Sequence, residues 1–390
     1  MIKKQILIIV LTIAMLFSFL GSIHAAEHQF DLQTESALLV DATAGELLFE
    51  KNIHEPLYPA SITKIMTLLL AFEAIEEGKV SLEDEVIVSE EAASMGGSQI
   101  FLEQGDKVSL EDLLIGIAVG SGNDASVAVA EHIAGSLEGF VEIMNERAFE
   151  LGMDNTNFEN ACGLHVDEHV TTAKDIVIMS RELLKYPQVN EWFSIWMDEE
   201  FLKGKISVEE GIYLSNTNRL VRYYSGCDGL KTGFTDQAGH CIAATAKRED
   251  SRFISVILNA PDSKTRFDEA TQLLDYAFAN YKTIPIAEKD EVVGEVAVQK
   301  GKETTLKLVL AKQLGVLVKK ADDPEFQKDI NITHSLNAPI TKGENIGEFI
   351  VIWEGEEVAQ GDLSAEKDVQ RATVFDIFYR TLEAWVRFGK

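Results

Sequence analysis

Three short motifs follow one another along this chain in a fixed order and at wide spacing: Ser61-Ile62-Thr63-Lys64, Ser121-Gly122-Asn123 and Lys231-Thr232-Gly233. Each of them also occurs by chance in unrelated proteins, so the local context decides whether it carries chemistry. The first motif runs into an apolar stretch of helical length over residues 65–71. Two residues three apart on a helix share one face, so the Lys64 amine can reach the Ser61 hydroxyl.

The surroundings of the other two motifs indicate the fold class. The second motif lies between two helical patterns, which is typical of a loop that places polar groups in a cleft. The third precedes two β-rich runs, 241–245 and 253–258, that read as neighbouring strands, and residues 37–50 read as a hairpin. Capping boxes that start at Ser81, Ser109 and Thr172 predict three helix N-termini. Helices around a mainly antiparallel sheet predict an α+β catalytic domain.

Longer stretches around the three motifs point to a family. The chain resembles the penicillin-recognising serine acyl-enzymes, and within them the low-molecular-mass D-alanyl-D-alanine carboxypeptidases, a serine peptidase family. The matching stretches are Tyr58-Pro59-Ala60-Ser61-Ile62-Thr63-Lys64, Ser121-Gly122-Asn123-Asp124-Ala125 and Asp228-Gly229-Leu230-Lys231-Thr232-Gly233. The resemblance covers roughly residues 35–280 well and the remainder more loosely. It implies a β-lactamase/transpeptidase-like catalytic domain.

The first catalytic step is also expected from the chemistry of the residues. Serine attacks poorly until a base removes its proton, so Ser61 is the expected nucleophile and Lys64 the expected general base. A free lysine has a pKa of about 10.4 and is protonated at neutral pH. A second cation, Lys231, at about 4 Å and an effective dielectric of 20 would lower that pKa by about three units. Partial desolvation would act in the same direction.

The resemblance implies further roles in the reaction. Ser121 would relay the proton to the leaving group, and Asn123 would hold the substrate peptide. The oxyanion hole would consist of the backbone N–H groups of the nucleophile and of Phe234. Some relatives carry histidine at the position of Phe234, but only its amide is needed there.

Four residues are expected to bind the substrate itself. Lys231 and Thr232 would contact its carboxylate, and Gly233 would let an extended peptide lie close to the strand. Arg252 stands at the start of a strand where the family places a carboxylate-binding arginine, and arginine can grip a carboxylate through paired donors. The alternative for Arg252 is an ordinary strand-end arginine on a solvated face.

The chain divides into four segments. Residues 1–26 read as an export signal, with two lysines, an apolar stretch and a small-residue exit; the alternative is an uncleaved membrane anchor. Residues 27–283 would form the catalytic domain and residues 284–370 a small β-rich domain. Residues 371–390 would form an amphipathic helix that lies in a membrane interface. For that helix, packing on the β-rich domain and a dimer contact remain open.

Charge and cysteine content limit the partners. The formal net charge is −29, which excludes nucleic acid as a natural ligand because phosphate binding needs a concentrated basic surface. The three cysteines suggest small buried thiols, although Cys227 and Cys241 could pair. His165-Val166-Asp167-Glu168-His169 is literally a zinc-site pattern, but the residues around it favour a loop, so we expect neither metal nor cofactor.

The favoured interpretation is an exported serine-type D-Ala-D-Ala carboxypeptidase that acts at the extracytoplasmic face of the membrane or in the cell wall. It would remove the terminal D-alanine from peptidoglycan stem pentapeptides through an acyl-enzyme, and β-lactam antibiotics would acylate it. A serine β-lactamase and a D,D-endopeptidase are alternatives with the same chemistry. A non-catalytic wall-binding module on this fold is an alternative from a different class.

Overall fold

The computed structural model describes residues 30–332, 335–378 and 380. Residues from Thr34 onwards group into one unit, and the fold below belongs to that unit. The expected export signal over residues 1–26 lies outside the described residues, as does most of the expected C-terminal helix over residues 371–390.

Strands and helices alternate in the first two thirds of the chain, and strands dominate the last third. In the described part the strands are β1 (Ser36–Asp41), β2 (Leu47–Lys51), β3 (Glu85–Ile87), β4 (Lys107–Ser109), β5 (Met197–Phe201), β6 (Ile212–Ser215), β7 (Cys227–Thr235), β8 (Gly239–Arg248), β9 (Ser251–Ala260), β10 (Tyr281–Ala287), β11 (Val292–Ala297), β12 (Thr305–Leu310), β13 (Leu314–Lys319), β14 (Gln327–Ile332), β15 (Asn345–Trp353) and β16 (Glu356–Ala365). The α-helices are α1 (Lys64–Glu76), α2 (Glu90–Ser94), α3 (Leu110–Ile115), α4 (Asn123–Ala134), α5 (Leu137–Glu150), α6 (Ala173–Leu183), α7 (Pro187–Phe193), α8 (Leu220–Tyr223) and α9 (Ser263–Asn280). A 3₁₀ turn, Ala60–Thr63, precedes α1, and a π-helical turn, Gly116–Gly120, follows α3.

A five-stranded sheet lies at the centre of the catalytic region, in the order β2-β1-β9-β8-β7. Every neighbouring pair in it is antiparallel. The runs 241–245 and 253–258 fall in β8 and β9, as expected, and the hairpin expected over residues 37–50 is β1 and β2. This confirms the α+β prediction. The strand that carries the third motif, β7, is therefore an edge strand of this sheet, open on one side.

Helix α1 is buried on nearly all sides. It packs against α4 and α6, and both α1 and the 3₁₀ turn before it contact β7. Its sequence is apolar around the whole circumference, as expected for a helix that is enclosed by other elements. The first residue of α1 is Lys64, so the fold carries this lysine into the core at the point where α1 meets the sheet.

The capping boxes gave two correct helix starts and one wrong one. Ser109 Oγ accepts the N–H of Asp112 at 3.2 Å, and the equivalent bond at Thr172 measures 3.1 Å. No helix follows Ser81; instead Asp84 Oδ2 accepts the Ser81 N–H at 3.0 Å in a turn, and β3 begins at the next residue. The reason is the run of β-branched residues 86–88, which favours a strand paired with β4 over a helix.

Strands β10–β16 form a second, β-rich region, which we call the β-domain. Its main sheet has the order β11-β12-β16-β15-β14, and β10 pairs with β13. It has an apolar core of its own, with Leu308, Leu310, Val351 and Leu363 fully buried. The Thr283 backbone N–H donates to Ser251 Oγ at 2.8 Å, which ties β10 to the start of β9.

Residues 374–378, which follow the β-domain, are helical. Thr373 caps the start of this helical stretch, since its hydroxyl accepts the Asp376 N–H at 3.3 Å. Val374 and Phe375 are 82% and 75% exposed, while Arg380 Nη1 donates to Gly301 O at 3.0 Å. Among the residues that the structure describes, no helix combines the length and the apolar character needed to cross a membrane.

Candidate active site

The Ser61 hydroxyl stands on a tight turn directly before α1. Two glycines allow other segments to press against this turn. A Cβ built on Gly163 would lie 1.9 Å from Ala60 O, and one built on Gly233 would lie 2.7 Å from Pro59 O. A side chain at either position would collide with backbone. Gly233 was expected to make room for a substrate; the structure shows that it makes room for the protein's own nucleophile turn.

Lys64 is the centre of a small hydrogen-bond network. Its Nζ lies 3.1 Å from Ser61 Oγ, and it donates to Asn123 Oδ1 at 2.6 Å and to Cys162 O at 2.7 Å. The side chain is fully buried. Burial lowers the pKa of Lys64 from 10.5 to about 8, while Cys162 and Asp124 oppose this shift. The first and second motifs are thus joined through one amine.

Burial, rather than charge repulsion, is the main cause of the lowered pKa of Lys64. The sequence predicted repulsion from Lys231 first and partial desolvation second, whereas desolvation is the largest cause at Lys64. Repulsion between the two lysines also lowers the pKa of Lys231, which burial and Arg266 likewise hold well below 10.5. Both lysines are fully buried, so removal from water dominates for each of them.

The second motif sits at an irregular point of the backbone. The π-helical turn Gly116–Gly120 ends at Ser121, which has a φ of 64° in the left-handed region. π-helical turns occur frequently at functional sites. Ser121 Oγ is buried and has no hydrogen-bond partner among the described residues. Asn123 starts α4, and its Nδ2 donates to Gly96 O at 2.6 Å, which fixes the orientation of the amide whose oxygen accepts from Lys64.

The third motif forms the opposite side of the same site. Lys231 is fully buried, and its Nζ lies 3.4 Å from Thr232 O. Thr232 is 5% exposed, and its hydroxyl donates to Thr217 Oγ1 at 2.8 Å. Phe234 is 54% exposed and stacks on His240, its cross-strand partner, with ring centroids 4.5 Å apart. A Cβ built on Gly233 would lie 3.1 Å from the Ser61 nitrogen, so the third motif is adjacent to the nucleophile.

Arg252 is not brought together with these residues. Its guanidinium forms two hydrogen bonds to the Asp228 carboxylate, at 2.7 and 2.6 Å, and a third to Thr245 Oγ1. Arg252 lies opposite Lys247 of β8, level with the start of β7, whereas Lys231 and Thr232 lie further along β7. The expectation that Arg252 reaches a substrate carboxylate is therefore not supported by its position, because its two Nη atoms already bind Asp228 and Thr245.

Comparison with known proteins agrees with this site and fold. A family model described as D-alanyl-D-alanine carboxypeptidase matches residues 23–262, and one described as the C-terminal domain of penicillin-binding protein 5 matches residues 281–371. The chain belongs to the D-alanyl-D-alanine carboxypeptidase family. It is 41% identical to the D-alanyl-D-alanine carboxypeptidase DacF of Bacillus subtilis, with 91% of each chain covered.

Two solved structures illustrate the likeness of the fold. Penicillin binding protein 5 from Haemophilus influenzae is 31% identical, with a TM-score of 0.71 over 88% of this chain and 99% of that one. Penicillin-Binding Protein D2 from Listeria monocytogenes in its ampicillin-bound form is 30% identical, with a TM-score of 0.57 over 64% of this chain and 99% of that one. The comparisons do not favour the β-lactamase alternative.

In this member of the D-alanyl-D-alanine carboxypeptidase family, the two histidines of the zinc-like pattern have separate environments. His169 is 2% exposed; its Nδ1 accepts the Glu159 N–H at 3.0 Å, so its Nε2–H donates to Thr63 Oγ1 at 2.7 Å. Burial lowers the pKa of His169 to about 4, and His165 and Lys64 act in the same direction. His165 packs against the edge of Tyr58. Both His169 nitrogens are engaged, so this ring supports the loop beside Lys64.

The three cysteines do not form a disulfide. Cys162, Cys227 and Cys241 are free and buried. Cys227 lies opposite Ala246 at the start of β7, and Cys241 lies opposite Gly233 near its end. The pairing of Cys227 with Cys241 that the sequence left open is therefore not formed. Burial raises the pKa of Cys227 to about 12 and that of Cys241 to about 11, which makes both thiols poor nucleophiles.

Several residues that shape the site were missed from the sequence. Asp124 is fully buried and accepts the N–H groups of Ile100 and Leu102, which anchors the loop next to Asn123. Arg266 of α9 donates to Gly233 O at 3.0 Å, and thereby supports the end of β7. A carboxylate directly after the second motif could have drawn attention to Asp124. No sequence signal distinguishes Arg266 from other arginines on amphipathic helices.

Proposed function

We propose that this chain hydrolyses the terminal D-Ala-D-Ala bond of peptidoglycan stem pentapeptides through an acyl-enzyme formed on Ser61. The observation that carries the proposal is the pair formed by Ser61 Oγ and a fully buried Lys64 amine 3.1 Å away, with a pKa lowered to about 8. The family membership supports the reaction class, and the geometry supports the residue roles.

The contacts of Lys64 favour a general base. A neutral amine has two N–H bonds and one lone pair. Asn123 Oδ1 and Cys162 O are acceptors at 2.6 and 2.7 Å, and they take the two N–H bonds. The lone pair is then left for the remaining neighbour, Ser61 Oγ. With a pKa of about 8, roughly a tenth of the amine is neutral at pH 7, far more than for an ordinary lysine.

The attack places negative charge on the carbonyl oxygen of the bond that breaks. The backbone N–H groups of Ser61 and Phe234 are the proposed donors to this oxygen, since Gly233, next to Phe234, packs against the Ser61 nitrogen. The Ser121 hydroxyl, which is buried and has no hydrogen-bond partner in the described part of the chain, is the proposed relay that hands the proton to the leaving amine. Free D-alanine leaves, and water then hydrolyses the ester on Ser61.

The substrate carboxylate is proposed to bind at Lys231 and Thr232. Lys231 is buried among neutral groups and cations, which disfavours its protonated form. An arriving carboxylate would reverse this, because a nearby anion raises the pKa of a lysine. Substrate binding would thus protonate Lys231 and leave Lys64 as the neutral partner of Ser61. A β-lactam carries an equivalent carboxylate, which accounts for acylation of such a site by penicillins.

The test is release of free D-alanine from a synthetic pentapeptide that ends in D-Ala-D-Ala, with benzylpenicillin labelling in parallel. We expect wild type to release D-alanine and to form a lasting penicillin adduct, and Ser61→Ala to do neither. A wild-type protein that binds peptidoglycan but is neither labelled nor active would contradict the proposal. Rapid turnover of penicillin without D-alanine release would point to a β-lactamase.

Action on peptidoglycan takes place outside the cytoplasm. We propose that residues 1–26 direct export and that residues 371–390 form a helix which holds the protein at the membrane surface. The exposed Val374 and Phe375 support the second part, since Arg380 reaches the β-domain while these apolar side chains face solvent. Removal of residues 371–390 is expected to release the protein from anionic vesicles; unchanged binding would refute this role.

A further inference from the structure

Thr217 contacts the third motif and the turn that leads into the second motif, although it belongs to neither. Its backbone N–H lies 3.3 Å from Val119 O, two residues before Ser121. Its hydroxyl lies 2.8 Å from the hydroxyl of Thr232 and accepts from it. Thr217 therefore bridges the π-helical turn on one side of the cleft and β7 on the other.

The flanking asparagines hold this bridge in place. Asn216 and Asn218 are 5% and 0% exposed. Asn216 Nδ2 donates to two backbone carbonyls of the preceding segment, at 2.8 and 2.9 Å, and its Oδ1 accepts the Asn218 N–H at 2.8 Å. Asn218 Nδ2 donates to Gly229 O of β7 at 3.0 Å. The backbone of Thr217 is thus fixed on both sides, and its hydroxyl has a defined position beside Thr232.

The hydrogen bond between the hydroxyls of Thr217 and Thr232 has to reverse its direction when a carboxylate binds. Each hydroxyl has one proton, and in the free protein the Thr232 proton is directed at Thr217. A carboxylate can only accept, so Thr232 must turn its proton towards it. The Thr217 proton then bridges the pair, and Thr232 accepts from Thr217 while it donates to the carboxylate. Hydrogen bonds in such a chain polarise one another and become stronger.

We infer that Thr217 is a positioning residue that favours substrates with a free terminal carboxylate, because it supplies the hydrogen bond that turns Thr232 into a donor. The inference rests on the proposed function, which assigns that carboxylate to Thr232. It adds a specificity determinant outside the three motifs, on the segment between β6 and α8.

The experiment compares acylation by benzylpenicillin and by its methyl ester, which lacks the negative charge. Thr217→Val removes the hydroxyl at nearly constant shape, and Thr217→Ser keeps it. We expect the second-order acylation rate of Thr217→Val with benzylpenicillin to fall about three- to tenfold, as for the loss of one hydrogen bond. The rate with the ester should fall by less than about twofold, because its uncharged carbonyl accepts a weaker hydrogen bond from Thr232. Thr217→Ser should stay within about twofold of wild type for both compounds.

A double-mutant cycle separates this role from a structural one. In a Thr232→Val background, Thr217→Val should not change the ratio of the two acylation rates further, because the hydroxyl that it orients is absent. Equal losses with both compounds, or an independent loss in that background, would overturn the inference. The same holds if Thr217→Val behaves as wild type. A wild-type protein that benzylpenicillin fails to acylate would instead refute the proposed function itself.

Discussion

The catalytic cleft and the β-domain place their lysines in opposite environments. In the cleft, Lys64 and Lys231 are fully buried, and the polar atoms that they contact are a hydroxyl, an amide oxygen and backbone carbonyls. In the β-domain, Lys367 keeps 52% of its side chain exposed and pairs with Glu303 at 2.8 Å. The pKa is lowered in the first case and raised in the second.

This difference shows what each region is built for. A surface ion pair keeps a lysine protonated and contributes little to stability. A buried lysine that contacts only neutral acceptors is unfavourable for the fold, but its amine becomes available for chemistry near neutral pH. We conclude that burial of the lysines in the cleft lowers the stability of the fold and provides a base, whereas the surface lysine of the β-domain has neither effect.

The largest effect is expected from substitution of the buried base. Lys64→Arg keeps a cation that cannot lose its proton, so we expect penicillin acylation to fall by about a thousandfold or more. The matched control, Lys367→Arg in the β-domain, should acylate at the wild-type rate. The measurement is the second-order acylation rate. Appreciable acylation of Lys64→Arg would show that the two regions do not differ in the way described.

A second comparison concerns glycines with positive φ. Gly163 has a φ of 84°, and a Cβ built on it would collide with the backbone of the nucleophile turn. Gly343 in the β-domain has a similar φ of 82°, but a Cβ built on it would meet no atom within 4 Å. Gly163→Ala should lower the free energy of unfolding by about 4 kcal/mol and disturb Ser61, while Gly343→Ala should lower it by about 1 kcal/mol. Denaturant unfolding measures both values. Similar losses would mean that backbone strain alone, and not the contact with Ala60, makes Gly163 necessary.

A smaller effect is expected from acid. His169 has a pKa of about 4 in the folded protein and an ordinary value of 6.5 when unfolded. Below pH 6.5 the unfolded chain takes up a proton that the folded chain does not bind until about pH 4, so stability falls through that window. The loss is about 3 kcal/mol by linkage. The slope of unfolding free energy against pH should be shallower in His169→Gln; an unchanged slope would contradict a neutral buried His169.

The sequence predicted those parts of the site that depend on local spacing. The Ser61–Lys64 pair follows from helical periodicity, and the antiparallel sheet behind the third motif follows from the β-rich runs that succeed it. The full burial of Lys64, which lowers its pKa, could not be predicted, because it depends on the packing of α1 against α4, α6 and β7. The sequence predicted charge repulsion from Lys231 first and partial desolvation second, whereas desolvation is the largest cause in the structure.

The failures have the same origin. Only the folded structure shows that Arg252 binds Asp228 and that Arg266, on α9, donates to β7. The sequence from Ser81 to Asp84 matches a capping box, but the residues that follow pair with β4 as a strand and therefore do not form a helix. Thr217 has no signal of its own, since its role depends on two segments that meet only in the folded chain.

The most direct test of the buried base is the pH dependence of benzylpenicillin acylation in the wild-type protein. With the pKa of Lys64 at about 8, the acylation rate should rise about tenfold per pH unit below pH 8 and level off above it. A rate that keeps rising to pH 10 would mean an ordinary lysine, and a rate independent of pH from 6 to 9 would mean that another group activates Ser61.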